Sequence, residues 1–104
     1  MTELEQYINS YFGLSEDDLA IVASLFKPSV LKKDEYFLQM DKQCNKLSFI
    51  KSGLLRIYTE TEDKEVTQWI STKGYFITDL SSLIFGKPSR WNIRALTDTE
   101  LYTI

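Results

Sequence analysis

The hydrophobic positions of this chain change their period at Pro28. Before it, Leu4, Tyr7, Ile8, Tyr11 and Phe12 recur at the spacing that puts them on one face of a helix. Thr2 and Glu5 have the spacing of a capping box, and Gly13 is placed to end that helix. Ser15 opens a second helix, with Glu16, Asp17 and Asp18 in its first turn, where negative charge is favoured. Leu19, Val22, Ala23 and Phe26 form its buried stripe, and Pro28 is expected to stop it.

After Pro28 the period is two. The stretch LSFIKSGLLRIYTETEDKEVTQWIS, residues 47–71, reads as strand, glycine turn, strand, polar turn and strand, with the hairpin tip at Thr61–Lys64. A short strand over Tyr75–Ile77 follows. Next comes a short helix over Asp79–Phe85, capped by Thr78, with Leu80, Leu83 and Ile84 expected to be buried. Gly86-Lys87-Pro88 is a turn, and Trp91–Ala95 and Glu100–Ile104 are the last two strands. Helices first and many short strands afterwards give an α+β class dominated by an antiparallel β-roll, or jelly roll. The expected organisation is one domain over 1–104, a helical lead-in at 1–27 and the roll at 28–104.

Composition narrows the chemistry. The chain has 104 residues and a formal net charge of −3. Proteins that grip phosphate backbones draw most of their affinity from Lys and Arg, so direct nucleic-acid contact is not expected of this segment. There is no histidine and only one cysteine, Cys44. An internal disulfide, a zinc cluster, haem ligation by histidine, an iron–sulfur centre and a metal-dependent cupin-like enzyme all lack their residues. No metal site and no enzyme is expected. An N-terminus carrying Glu3 and Glu5 is no secretory signal, and no apolar run approaches the ~20 residues of a membrane span, so a cytoplasmic location is the expectation.

Other clusters have ordinary structural readings. Lys27, Lys32 and Lys33 read as cations near a helix end. Glu60, Glu62, Asp63 and Glu65 read as a solvated hairpin tip, without the convergent ligand pattern of a calcium loop. Cys44 reads as an unreactive thiol, Trp69 and Trp91 as core, and Tyr58 and Trp69 as a cross-strand pair.

Three stretches carry a resemblance: LKKDEYFLQMDKQCNKLSFIKSGLLRIY, VTQWISTKGYFITDLSSL and WNIRALTDTELYTI. In order, spacing and the turn glycines Gly53 and Gly74, they resemble the cyclic nucleotide-binding fold. More narrowly, they resemble the N-terminal sensor half of Crp/Fnr-type bacterial transcription regulators. The resemblance covers about residues 3–104 and implies a small-molecule effector. It also implies a homodimer in the full-length protein, and DNA contact only through a C-terminal domain absent from this chain. The chain is accordingly expected to be the early part of a longer regulator, truncated before the dimerisation helix. Its last strand, LYTI, is expected to be left as an open edge.

The resemblance also implies where a ligand would sit: at Ile77, Thr78, Asp79, Leu80, Ser89 and Arg90. The family places a Gly-Glu pair after the Phe-Ile step and an Arg-Ser pair ten residues on. Here those positions hold Thr78-Asp79 and Ser89-Arg90, so all four differ. Thr78 adds a Cβ where backbone should approach the phosphate, and Asp79 is one methylene shorter than Glu. Successive strand residues face opposite sides, so the arginine, displaced by one, should face outward with Asn92 and Arg94. Trp91, Ile93 and Ala95 should face inward, with the Trp91 ring filling part of the ligand space. Cyclic AMP and cyclic GMP are therefore not the expected cofactors. The alternative is a working module for a cyclic nucleotide or another small anion, with a strand bulge turning Arg90 inward, or for a small apolar ligand in the same cavity.

Overall fold

Each of the first two helices begins where its cap chemistry predicts. The structure, a computed structural model, describes all residues 1–104. α1 (Glu3–Tyr11) opens with a complete capping box: Thr2 Oγ1 accepts from the Glu5 amide at 3.1 Å, and the Glu5 carboxylate accepts from the Thr2 amide at 3.0 Å. Those bonds from Thr2 hold the Glu5 carboxyl below its usual range. The helix ends at an extended Phe12 rather than at a left-handed Gly13, so the expected glycine cap is not used. α2 (Glu16–Ser24) is capped by Ser15, whose hydroxyl accepts from the Asp18 amide at 3.2 Å.

Pro28 does not stop α2. The helix ends at Ser24, and Pro28 lies inside β1 (Lys27–Leu31), opposite Tyr102. That placement is tolerated because β1 is an edge strand, where a missing N–H breaks no inner ladder. Lys27 is likewise a strand residue and not a helix-end cation.

The remaining strands are β2 (Tyr36–Leu38), β3 (Ser48–Ser52), β4 (Leu55–Glu60), β5 (Glu65–Ser71), β6 (Phe76–Ile77), β7 (Asn92–Ala95) and β8 (Thr99–Thr103), with α3 (Leu80–Phe85) between β6 and β7. They form two four-stranded sheets, ordered β1-β8-β3-β6 and β2-β7-β4-β5, all neighbours antiparallel. The expected α+β β-roll is the fold observed. β8 is an inner strand: β1 covers it from Lys27↔Thr103 to Leu31↔Thr99, and β3 pairs its other side. The open edge expected at LYTI is therefore closed, by a segment more than seventy residues away in sequence.

Gly53 lies where the chain leaves β3 in one sheet for β4 in the other. Its φ is +102°, and a Cβ there would lie 2.5 Å from Thr99 Oγ1 and 2.7 Å from the Asp98 carbonyl oxygen. Neither the angle nor the space admits a side chain.

Two apolar clusters hold the layers together. Between the sheets lie Ile50, Leu55, Ile77, Ile93, Ala95 and Leu101, with their neighbours. On the outer face of the first sheet, Leu4, Ile8, Leu19 and Phe26 close over Phe49. The helix periodicity predicts this second cluster directly. The expected Tyr58–Trp69 pair does not form. A bulge between Ile57 and Tyr58 sets Trp69 opposite Ile57 and Tyr58 opposite Thr67. Tyr58 is fully buried, whereas Trp69 is 57% exposed. No helix is long and apolar enough to cross a membrane.

Candidate ligand site

β6, α3 and the start of β7 bring most of the candidate residues together, and α3 is held there mainly by polar groups. Asp79, not Thr78, is its N-cap: Oδ1 accepts from the Ser82 amide at 3.1 Å. Asp outranks Thr at this position, a signal legible in the sequence. Thr78 instead donates its hydroxyl to the Lys46 carbonyl at 3.0 Å. The buried residue of α3 is Ser82, whose Oγ accepts from the Cys44 amide at 2.7 Å. The helix ends on Gly86 at φ +68°. Leu80, Ile84 and Phe85 face solvent at 51%, 65% and 70% exposure, so Leu80 and Ile84 are not the buried spokes expected. A six-residue helix clamped by hydrogen bonds has no need of an apolar face against the roll.

Ser89 is buried and donates to Asp79 Oδ2 at 2.7 Å, while its own oxygen accepts from the Trp91 amide at 3.1 Å. Its backbone is pinned to the 41–42 turn: the Ser89 amide donates to the Lys42 carbonyl at 2.9 Å, and its carbonyl accepts from the Asp41 amide at 2.8 Å. Both oxygens of Asp79 are thus engaged inside the protein. Arg90, next in sequence, is exposed.

Two hollows meet at Trp91. One, of about 360 Å³, lies on the inner face of the roll and opens to solvent, bordered by Ile57, Trp69, Ser71, Tyr75, Ile77, Thr78 and Ile93, and by Tyr11 and Phe76. The other, of about 310 Å³, is lined by Asp79, Ser81, Ser82, Lys87, Pro88 and Arg90. Trp91 is half-buried and lines both. The candidate residues are therefore divided. Ile77 and Thr78 border the inner cavity, Asp79 and Arg90 border the outer one, Ser89 bonds between them, and Leu80 points away.

The outer face of β4 and β7 carries a second group that periodicity alone did not single out. Asn92 and Arg94 share the outward parity expected, yet they are covered. Asn92 is buried, donating to Glu60 Oε1 at 3.0 Å and accepting from the Met40 amide at 2.9 Å. Arg56 and Arg94 sit directly opposite each other, their guanidinium carbons 4.1 Å and 5.8 Å from the centre of the Tyr58 ring. Arg56 is paired with Glu65 at 3.0 Å. Burial, and then the 3.0 Å hydrogen bond with Tyr36, push the Tyr58 phenol well above its usual range. The matched parity of Arg56, Tyr58, Asn92 and Arg94 is the sequence signal for this layer. Cys44 is buried, with its Sγ 3.2 Å from the Lys46 carbonyl, which places it out of reach of solvent.

Against this geometry, a family model described as "Cyclic nucleotide-binding domain" matches residues 28–104. The chain belongs to the cyclic nucleotide-binding domain family. Solved structures agree on the domain's fold. The regulatory domain of Toxoplasma gondii PKA, crystallised with cAMP, is 16% identical with a TM-score of 0.87, over 98% of this chain and 40% of that one. The Thermus thermophilus catabolite activator protein is 20% identical with a TM-score of 0.79, over 90% and 44%. The CO-dependent transcription factor CooA from Carboxydothermus hydrogenoformans is 25% identical with a TM-score of 0.69, over 98% and 40%. The cyclic nucleotide-binding domain described here thus has the roll found in Crp/Fnr-type regulators and spans less than half of each of these chains. No curated protein matches it significantly.

Proposed function

We propose that this domain is the sensor module of a Crp/Fnr-type transcription regulator, and that its roll does not take a cyclic nucleotide in the family's usual way. Residues 1–27 serve as the helical lead-in and 28–104 as the sensing roll. The module acts in the cytoplasm by shape change within a homodimer, without catalysis of its own. DNA is contacted by a separate C-terminal domain.

The observation that carries this reading is the bond from Ser89 to Asp79. By the family's pattern, a phosphate would lie between the start of α3 and an inward arginine. Here the arginine's position holds a serine, and the anion it meets is the protein's own carboxylate, 2.7 Å away. That carboxylate also takes the Ser82 amide at the start of α3. An incoming phosphate would find no buried cation, because the arginine's position holds Ser89, already bonded to Asp79. Removing one partner of a buried charge pair costs about 2–5 kcal/mol, which is about 30- to 5,000-fold in affinity.

Calorimetry with cyclic AMP and cyclic GMP tests the proposal. For a site that would otherwise bind at about 1 μM, the expected Kd is about 30 μM to 5 mM for both. Binding tighter than ~10 μM that is abolished by Arg90→Ala overturns it. The second reading, a small anionic ligand, is favoured by one observation: Lys87 and Arg90 border the same hollow as Asp79. It is supported if an anion binds there with Arg90 as its partner.

A further inference from the structure

β5 and β6 are each an edge strand of their sheet, as β1 and β2 are at the other edges, and they do not pair with each other. The inner cavity of about 360 Å³ lies along this gap, within the size range of small-molecule sites. Its walls carry no Lys, Arg, Asp or Glu. They carry aromatic rings instead. Trp69 and Tyr75 are inclined by 30° with ring centres 6.3 Å apart, and Trp91 borders both this cavity and the charged hollow. Apart from the aromatic N–H and O–H groups, the polar side chains on the wall are Ser71 and Thr78, and Thr78 is already committed to the Lys46 carbonyl.

Resting on the proposal that the phosphate site is given up, we infer that this cavity binds a flat, uncharged aromatic molecule of one or two rings. Trp69, Tyr75 and Trp91 supply the stacking faces, and Ser71 supplies a hydrogen bond. Three features select this class. A charged group entering would exchange part of its hydration for apolar walls that hold no counter-ion. Offset rings gain from each other beyond simple area burial. Trp69, more than half exposed on the rim, is an indole face left to water in a position where a second ring would cover it.

The test uses the whole chain, isotope-labelled for NMR, with indole as the uncharged probe, indole-3-carboxylate as its anionic counterpart and choline as a cation that aromatic walls can also attract. Indole should shift the Ser71 and Thr78 amides and the Trp69 and Trp91 side-chain N–H signals in a saturable way. Both charged probes should bind at least about tenfold more weakly. Trp69→Ala should weaken indole at least about fivefold, consistent with the loss of one stacking face. Its fold is checked by melting; if it fails to fold, Trp69→Leu, which keeps an apolar side chain without the ring, takes its place. The inference is overturned if indole leaves these signals unmoved at about 10 mM. It is equally overturned if either charged probe binds as well as indole, or if Trp69→Ala leaves indole affinity unchanged. Cyclic AMP binding tighter than ~10 μM would overturn the proposal about the phosphate site as well. Silence from both indole and cyclic AMP overturns only the aromatic-ligand inference.

Discussion

The two hollows on either side of Trp91 are similar in size, about 360 and 310 Å³, and opposite in chemistry. The inner one is walled by rings and branched aliphatics and carries no formal charge. The outer one gathers Asp79, Lys87 and Arg90 around two serines. Desolvation favours the separation. A guanidinium placed inside the roll would lose its water and need a counter-ion there, and Arg90, in the bend before β7, is exposed. The only anion deep at this junction, Asp79, is satisfied from within by Ser82 and Ser89. The difference teaches that this junction keeps its geometry through neutral hydrogen bonds to Asp79, with no buried guanidinium to balance it.

The sharpest way to break this contrast is to move charge back inside. Thr78→Gly, Asp79→Glu and Ser89→Arg together should raise cyclic AMP affinity by about a hundredfold or more in calorimetry. No gain in a folded triple variant would mean that Trp91, rather than the missing cation, excludes the nucleotide. Next in size is stability. Asp79→Ala removes a helix cap and strands the buried Ser89 hydroxyl, so urea unfolding should show a loss of about 2–3 kcal/mol. On the open wall, Trp69→Ala should cost less than about 1 kcal/mol, because the indole is largely in water already. Equal losses at the two positions would erase the distinction between a clamped junction and an open cavity.

Tyr7 lies under Gly74, where an added Cβ would come within 3.2 Å of its ring. Burial pushes the Tyr7 phenol up to about 12 from its ordinary 10. An unfolded chain releases that proton first, so the contribution is present below pH ~10 and is lost as pH rises toward 12. Melting curves taken across that range should fall less steeply for Tyr7→Phe than for the parent. An unchanged slope would show the phenol to be solvated. The smallest effect expected is from Arg90→Ala, within about 0.5 kcal/mol of the parent in unfolding, as for other exposed side chains. A larger loss would place the guanidinium in contact with the fold.

Much of this layout is readable residue by residue. The capping box at Thr2 and Glu5, the Ser15 cap and the hairpin at Thr61–Lys64 follow from local spacing; Arg90 is exposed as expected, but in a bend ahead of β7 and not by strand parity. What local spacing does not reveal is which distant segment answers a given one. Pro28 reads as a helix stop until β1 is seen pairing with β8. LYTI reads as a bare edge until the same pairing covers it. Leu80 and Ile84 read as core spokes because their spacing is helical, yet Ser82 has the partner, the Cys44 amide, and takes the buried side. The bulge beside Tyr58 moves Trp69 from an expected core pair to the rim of a cavity.

The amino-acid order by itself determined the class of fold, the periodic faces of helices and strands, and the residue types at positions 78, 79, 89 and 90. Those properties are set within a few residues by backbone geometry and side-chain alternation. Only the tertiary structure decided that Ser89 would bond to Asp79, that Trp91 would divide two hollows, and that β5 and β6 would not pair with each other. Each of these depends on strands far apart in sequence meeting in one register, and on the cost of burying charge without a partner.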